Sequence, residues 1–216
     1  MVGSLENIRL FLASSLDETA LSICKHLKKT DLEKGLFITT ASEVEEGAGP
    51  YIEKDRQRLL QAGFSLESYS CTGKSRQQVT KAVTEASAII VEGGNTFFLL
   101  SQLRKSGAVK IIRDAVLGGK PYLGSSAGSL VAGHHIETAK RFDDLSQAPD
   151  LKSFEGMQLV DLVVECHWGN TKIPDNKKKS LEALAELFDR DEKFVLLRDN
   201  QYLCVTGSSY RVVSTN

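Results

Sequence analysis

The sequence predicts an α/β protein: an open, mostly parallel sheet with helices on both faces, in three layers. Short apolar runs with the composition of buried strands alternate along the chain with longer segments whose apolar residues recur at helical spacing. Such alternation is typical of a parallel sheet covered by helices. The chain has 216 residues, of which 41% are hydrophobic, so it is long enough to bury a substantial core. We therefore expect one domain over residues 1–216.

The first half of the chain contains the predicted strands 8–13, 36–40, 65–70 and 88–91. Predicted helices follow the first three of these strands, at 17–29, 50–62 and 76–86. Asp17 is a candidate cap for the first helix. The second helix begins at Pro50 and is followed by Gly63, the usual asymmetry of helix ends. Residues 42–49 are rich in Gly and Glu and are predicted to form a loop.

The second half continues the alternation. Helices are predicted at 96–104 and 109–117, followed by a short strand that ends near Gly124, then an irregular region at 134–157. A strand at 159–165, a helix at 176–188 and a strand at 194–197 come next, and the segments 201–206 and 210–213 form a closing hairpin.

The segment Gly124-Ser-Ser-Ala-Gly128 has the glycine-x-serine-x-glycine pattern of a nucleophile elbow. In such an elbow the central serine occupies a tight turn between a strand and a helix, and its hydroxyl projects from the sheet. Ser126 is therefore the candidate nucleophile. The pentapeptide alone is equally compatible with close packing of a helix on the sheet, or with an anion held by the N–H groups of the helix terminus.

Three other candidates follow predicted strands: Gly94, His167 and Asp199. In open sheets of this kind ligands bind at the carboxyl ends of the strands, so the fold can bring these residues and Ser126 to one edge. A serine needs an adjacent base, which His167 can supply, and an imidazole in that role needs an acid such as Asp199.

Backbone N–H groups would complete this arrangement by binding the developing oxyanion. Candidates are the N–H of Ala127 and one from the turn Gly93-Gly94. Each feature has a simpler explanation: His167 as a hydrogen-bonded loop residue, Asp199 as a turn residue, and the glycine turn as a tight exit from a strand.

Residues 88–100 (AIIVEGGNTFFLL) and 122–128 (YLGSSAG) resemble the two signature stretches of the peptidase E family, serine dipeptidases with a class I glutamine amidotransferase-like (flavodoxin-like) fold. The resemblance implies Ser126 as nucleophile, His167 as base and Asp199 as acid, where the better-known aspartyl dipeptidases carry a glutamate. It also implies Gly94 and Ala127 as oxyanion donors. The order serine, histidine, acid differs from the order serine, acid, histidine of α/β-hydrolases.

The expected substrate pocket departs from that family. Members that cleave after an amino-terminal aspartate have an arginine shortly after the histidine, whereas this chain has the lysine-rich segment 171–179 (TKIPDNKKK). Lysine does not reproduce the fork geometry of arginine. Arg141 is the candidate that could bind an acidic group instead, and Asn95 and Trp168 are further candidates for substrate binding.

Composition limits the partners. The chain has 27 Lys and Arg against 28 Asp and Glu, a formal net charge of -1, so no overall field favours nucleic acid or a membrane. The amino-terminal residues 1–6 show no leader pattern and no window approaches a membrane span, so we expect a cytoplasmic protein, as a monomer or homodimer. The four cysteines are widely scattered, which predicts free thiols. His134, His135, Cys166 and His167 follow no metal-ligand spacing, and we expect no metal and no cofactor.

The leading hypothesis is a serine peptidase that acts on dipeptides or short peptides. Two alternatives remain open: a hydrolase similar to cyanophycinases, which act on a branched aspartate polymer, and a non-enzymatic module that binds or senses a small ligand on the same scaffold.

Overall fold

The computed structural model describes residues 7–215, so the amino-terminal residues 1–6, where we expected no leader, lie outside the described part of the chain. The strands of the described part are β1 (Arg9–Ala13), β2 (Gly35–Ile38), β3 (Leu66–Tyr69), β4 (Ala88–Val91), β5 (Tyr122–Ser125), β6 (Val163–Glu165), β7 (Phe194–Leu196), β8 (Gln201–Thr206) and β9 (Ser209–Ser214). The helices are α1 (Leu16–Ile23), α2 (Gly49–Gln61), α3 (Arg76–Glu85), α4 (Thr96–Lys105), α5 (Ala108–Leu117), α6 (Ala127–Leu130) and α7 (Asn176–Asp189).

Seven strands form the main sheet, in the order β3-β2-β4-β5-β1-β8-β9. The first five are parallel to one another, whereas β8 runs antiparallel to β1 and forms a hairpin with β9. In the central pair of strands, Ala13 lies opposite Ser125. The residues that follow β1 and β5 therefore emerge side by side at one edge of the sheet.

Alternating residues of the strands enter two separate cores. Leu10 and Leu12 of β1 belong to one core, which also contains apolar residues of α3, α4 and α5. Phe11 and Ala13 belong to the other core, together with residues of α1 and α2. The period of two in side-chain direction explains this division. It confirms the predicted α/β fold, a mostly parallel sheet between two layers of helices.

The first predicted helix, 17–29, is too long. α1 ends at Ile23 and continues only as a 3-10 turn, Cys24–His26. Asp31 explains the early end: its carboxylate accepts the Lys28 N–H at 2.8 Å and pairs with Arg9 at 2.6 Å, which holds the chain in a new turn. Asp17 is not the cap, because the helix begins after Ser15 and Asp17 lies in its first turn.

The predicted strand 159–165 is also shorter, and it belongs to a different sheet. Only Val163–Glu165 is extended, and this strand pairs with β7 in a separate two-stranded parallel sheet. The preceding residues turn away, because Gln158 has a φ of 52° and the Leu159 N–H bonds to the carbonyl of Ala132. His167 and Asp199 therefore follow the strands of this small sheet and not those of the main sheet.

Two other predictions agree with the structure. The region 134–157 is irregular as expected and contains two 3-10 turns, Glu137–Arg141 and Leu145–Gln147. The four cysteines are free thiols. Within residues 7–215, no helix has both the length and the apolar character needed to cross a membrane.

Candidate active site

Ser126 occupies a strained turn between β5 and α6. Its backbone has φ 48° and ψ -111°, a region that residues with a side chain rarely adopt and that costs about 1–3 kcal/mol. The Ser126 N–H donates to the carbonyl of Ala13 at 3.1 Å, which ties the turn to the end of β1. Gly128 permits the next turn to lie against β4, since a Cβ there would come within 2.0 Å of the Val91 carbonyl oxygen. This geometry leaves the Ser126 side chain partly exposed.

His167 and Asp199 line up behind that hydroxyl. The Ser126 Oγ lies 2.8 Å from the Nε2 of His167, and the Nδ1 of His167 lies 2.7 Å from the Oδ1 of Asp199. The acceptor at Nδ1 is a carboxylate, so the proton of a neutral imidazole is placed on Nδ1. Nε2 is then free to accept the proton of the Ser126 hydroxyl. The structure thus brings these three sequence-predicted residues into one hydrogen-bonded chain.

The His167 backbone is held from both sides. It has a φ of 61°, in the left-handed region, so the position needs external support. The His167 N–H donates to the Oγ of Ser14 at 2.8 Å, and its carbonyl accepts from the Nδ2 of Asn176 at 2.7 Å. Asn176 is buried at the start of α7. These contacts fix the direction in which the imidazole leaves the backbone.

Asp199 accepts hydrogen bonds from two more side chains. Its Oδ1 accepts from the Ser14 Oγ at 2.9 Å, and its Oδ2 accepts from the Nδ2 of Asn170 at 2.6 Å. Burial acts to raise the pKa of Asp199, but its hydrogen bond with His167 and the other donors outweigh burial, and the pKa lies below its usual value. Asp199 therefore stays ionised at neutral pH and holds the Nδ1–H of His167.

The site also contains three residues that were not predicted from the sequence, Ser14, Asn170 and Asn176. The signal for Ser14 was present, because it directly follows β1 just as Ser126 directly follows β5. Asn170 and Asn176 carried no signal of that kind: they lie in a loop and at the start of a helix, and only the folded chain shows what their amides contact.

Two backbone N–H groups are available beside Ser126. Within residues 7–215, neither the Gly94 N–H nor the Ala127 N–H donates a hydrogen bond. Ala127 is the first residue of α6, where N–H groups lack intrahelical acceptors. Gly94 has a φ of 132°, and a Cβ there would lie 2.4 Å from the Ala41 carbonyl oxygen, so only glycine fits. The neighbouring Gly93 packs against the elbow, because a Cβ there would lie 3.2 Å from the Cβ of Ser126.

The structure does not bring Asn95, Arg141 and Trp168 into the cavity that contains Ser126. Asn95 caps α4 by accepting the Phe98 N–H at 2.9 Å, and its amide donates to the carbonyl of Asp144. Arg141 pairs with Glu186 at 2.5 Å. Trp168 borders a neighbouring groove of about 980 Å³. Asn95 and Arg141 are thus engaged by the protein itself.

The cavity beside Ser126 has a volume of about 500 Å³ and is rich in carboxyl groups. The acidic residues that line it are Glu45, Asp55, Glu92, Asp143 and Glu165. Lys179 is the only lysine or arginine among the described residues that line it. The Lys179 ammonium lies 5.6 Å from the centre of the Phe142 ring, within the range of a cation–π contact.

Burial shifts the pKa values of four of these carboxyl groups upward, those of Asp55, Glu92, Asp143 and Glu165. Burial and the charge of Asp55 raise the pKa of Glu92 well above its usual value, which favours its protonated form. Burial raises the pKa of Asp143 to about 6 and that of Glu165 to about 7. A protonated Glu92 matters for chemistry, because a negative charge beside Gly93 would oppose the formation of an oxyanion near Ser126.

Metal-ligand geometry is not found in the described part of the chain: within residues 7–215, no three His, Cys, Asp or Glu side chains converge as the ligands of a metal ion. The hydrogen-bonded chain and the two free N–H groups are suited to acyl transfer, since they provide a nucleophile, a base and donors for an oxyanion.

Comparison with known proteins gives the family. The sequence profile of peptidase family S51 matches residues 10–213. An uncharacterized peptidase of Pasteurella multocida (strain Pm70) is 33% identical over 203 residues, covering 93% of this chain and 98% of the relative. The peptidase E of Nostoc sp. (strain PCC 7120) is 31% identical over 166 residues, covering 76% of this chain and 65% of that protein.

A solved structure agrees with the sequence relatives. The crystal structure of a Listeria monocytogenes EGD-e protein that provisionally carries the name peptidase E superposes with a TM-score of 0.88, at 26% identity, over 97% of this chain and 99% of that one. The chain is therefore an α/β protein of the peptidase class. It belongs to peptidase family S51, the peptidase E family.

Proposed function

We propose that the protein is a serine peptidase that hydrolyses dipeptides or short peptides through an acyl-enzyme on Ser126. The observation that carries this proposal is the chain of hydrogen bonds from Ser126 to His167 and on to Asp199, at 2.8 and 2.7 Å. Membership of a peptidase family supports it.

In the first half of the reaction the Nε2 of His167 takes the proton of the Ser126 hydroxyl while Oγ attacks the carbonyl carbon of the scissile bond. The oxyanion that forms is bound by the N–H groups of Gly94 and Ala127. His167 then gives its proton to the leaving amine as the carbon–nitrogen bond breaks, and the acyl group remains on Ser126.

In the second half water attacks the acyl-enzyme. His167 accepts a proton from the water and returns one to Ser126, which releases the new carboxylate. Asp199 stays ionised throughout and stabilises the imidazolium form of His167. Ser14 and Asn170 hold Asp199 in place, so we assign them as positioning residues.

Hydrolysis of a dipeptide panel tests the proposal. The wild-type protein should release free amino acids, and Ser126→Ala should lower kcat by several orders of magnitude while the far-UV spectrum and Tm stay unchanged. The matched control is Ser106→Ala, because Ser106 is a buried serine outside the cavity and its hydroxyl donates to the carbonyl of Gln102. A Ser126→Ala variant that kept its peptidase activity would refute the mechanism.

The same panel addresses the alternatives. Hydrolysis of a branched aspartate polymer in preference to dipeptides would favour a cyanophycinase-like enzyme. Tight binding of a small ligand without any turnover would favour a sensor module.

A further inference from the structure

The cavity that contains Ser126 has an unbalanced negative charge. Five of the described residues that line it carry carboxyl groups and one carries an amine. Even with Glu92 neutral and Glu165 half protonated at pH 7, the charges of Glu45, Asp55 and Asp143 exceed that of Lys179. The excess lies within the proposed substrate site.

The protein does not neutralise these carboxyl groups itself. Within residues 7–215, none of the five forms an ion pair, although carboxylates elsewhere on the surface do. Asp143 accepts the Thr96 N–H at 2.8 Å, and Asp55 accepts the Asp17 N–H and the Ser125 hydroxyl. All of these donors are neutral, so Asp55 and Asp143 form no ion pair, whereas the positive charge of Arg141 acts on Glu165.

Glu92 provides an independent observation. It is fully buried and lines the cavity, no described N–H or O–H group of another residue donates to its carboxyl oxygens, and the carboxyl group of Asp55 lies beside it, close enough to share a proton. A buried pair of carboxyl groups at a substrate site, with no cation of the protein paired to it, indicates that a cationic donor on the substrate contacts it.

We propose that the cavity selects peptides whose amino-terminal residue has a positively charged side chain, lysine or arginine, and that it rejects aspartyl peptides. This inference rests on the proposed function and names its substrate class. The α-ammonium group, common to all peptides with a free amino terminus, supplies one positive charge. Asp55 and Glu92 lie beside each other, and Asp143 is held separately by the Thr96 N–H, so carboxyl groups remain for a second cationic group once the α-ammonium is bound.

Matched substrates isolate the charge of the side chain. Lysyl-alanine and norleucyl-alanine have the same leaving group and side chains of similar length, but only lysine carries an ammonium group. We expect kcat/KM for the lysyl peptide to exceed that for the norleucyl peptide at least tenfold, with no measurable hydrolysis of aspartyl-alanine. Equal or faster hydrolysis of the norleucyl or the aspartyl peptide would overturn the inference and leave the serine peptidase mechanism standing.

Binding to the Ser126→Ala variant separates the inference from the proposed function. Calorimetry should give a Kd for lysyl-alanine at least tenfold below that for norleucyl-alanine. If the wild-type protein hydrolysed neither peptide but this difference were found, the inference would hold and the proposed function would fail. Equal affinity for the two peptides would overturn the inference whatever the turnover.

A substitution of Asp143 tests whether this carboxylate binds the cationic side chain of the substrate. Asp143→Asn keeps an oxygen acceptor for the Thr96 N–H but removes the charge, and it should reduce the preference for lysyl over norleucyl peptide several-fold. The control is Asp150→Asn, because Asp150 is exposed and pairs with Lys105 away from the cavity. An unchanged preference in Asp143→Asn would contradict the placement of the cationic group.

Discussion

The Ser14 Oγ donates a hydrogen bond to the Oδ1 of Asp199 at 2.9 Å and accepts one from the backbone N–H of His167 at 2.8 Å. One hydroxyl at the end of β1 thus connects the two loops that follow the small sheet. Ser14 is fully buried, so this contact is not exchanged for water. It explains how residues from two separate sheets keep a common geometry with Ser126.

Removing this hydroxyl should affect catalysis more than substrate binding. We expect Ser14→Ala to lower kcat about tenfold with little change in KM, because Asp199 and His167 lose a shared partner, and to lower the free energy of unfolding by about 1–3 kcal/mol. Ser106→Ala is the control, since Ser106 is also buried but its hydroxyl bonds within α4. An equal loss of kcat in both variants would show that the effect is merely structural.

The charge of Asp199 should matter more than its hydrogen bond. In Asp199→Asn the amide can present its NH₂ to the Nδ1 of His167, which favours the wrong tautomer, and we expect kcat to fall about 10³–10⁴-fold. Asp199→Glu keeps the charge, so we expect it to retain more activity than the asparagine variant. Steady-state kinetics at pH 8 provides the measurement, and an asparagine variant within tenfold of wild type would contradict the role of Asp199.

Glu92 should make stability depend on pH. The pKa of Glu92 is raised in the folded protein from an ordinary value of 4.5. Above pH 4.5 the unfolded chain loses this proton while the folded protein keeps it, and the folded protein becomes less stable relative to the unfolded chain. Stability contributed by the protonated form is complete below pH 4.5 and is lost as the pH rises toward the folded pKa. Glu92→Gln imitates the protonated form, and its stability relative to wild type should increase by up to about 1.4 kcal/mol per pH unit above pH 5.

Urea unfolding at several pH values measures this difference. The control is Glu85→Gln, because Glu85 is exposed and its hydrogen bond with Lys34 lowers its pKa. The stability of this control relative to wild type should not increase with pH. If the difference in unfolding free energy between Glu92→Gln and wild type did not change with pH, the pKa of Glu92 would not be raised in the folded protein.

Gly94 should not tolerate a side chain. Its φ is 132°, and a Cβ at this position would lie only 2.4 Å from the Ala41 carbonyl oxygen, so the backbone must shift in Gly94→Ala. We expect a loss of about 3 kcal/mol in unfolding free energy and slower acylation of Ser126. Gly47→Ala is the control: Gly47 has a φ of 78° but no atom within 4 Å of a Cβ, so it should lose about 1 kcal/mol and keep its activity.

The fold and the three-residue chain could be predicted from the sequence because their signals are local. Apolar runs such as 88–91 and the glycine pattern around Ser126 depend on neighbouring residues, and the rule that functional residues follow strands adds His167 and Asp199. The sequence did not show, however, that the strands before His167 and Asp199 form a small sheet separate from the main one.

The substrate cavity could not be predicted in the same way. Arg141 was a reasonable candidate by composition, but its pairing with Glu186 on α7 depends on a contact between residues 45 positions apart. Asp55 lies in the middle of a helix, and nothing in its local sequence indicates that it approaches Glu92. Burial of charged groups is a property of the packed chain, so the acidic character of the cavity appears only in the structure.

Labelling by a fluorophosphonate tests the central claim most directly, because the reagent forms a covalent bond with an activated serine and requires no knowledge of the substrate. We expect intact-mass analysis to show one adduct per chain and peptide mapping to place it on Ser126. Labelling should persist in Ser125→Ala, slow strongly in Asp199→Asn and be absent from Ser126→Ala. No adduct on the folded wild-type protein, or an adduct that persists in Ser126→Ala, would contradict the assignment of Ser126 as the nucleophile.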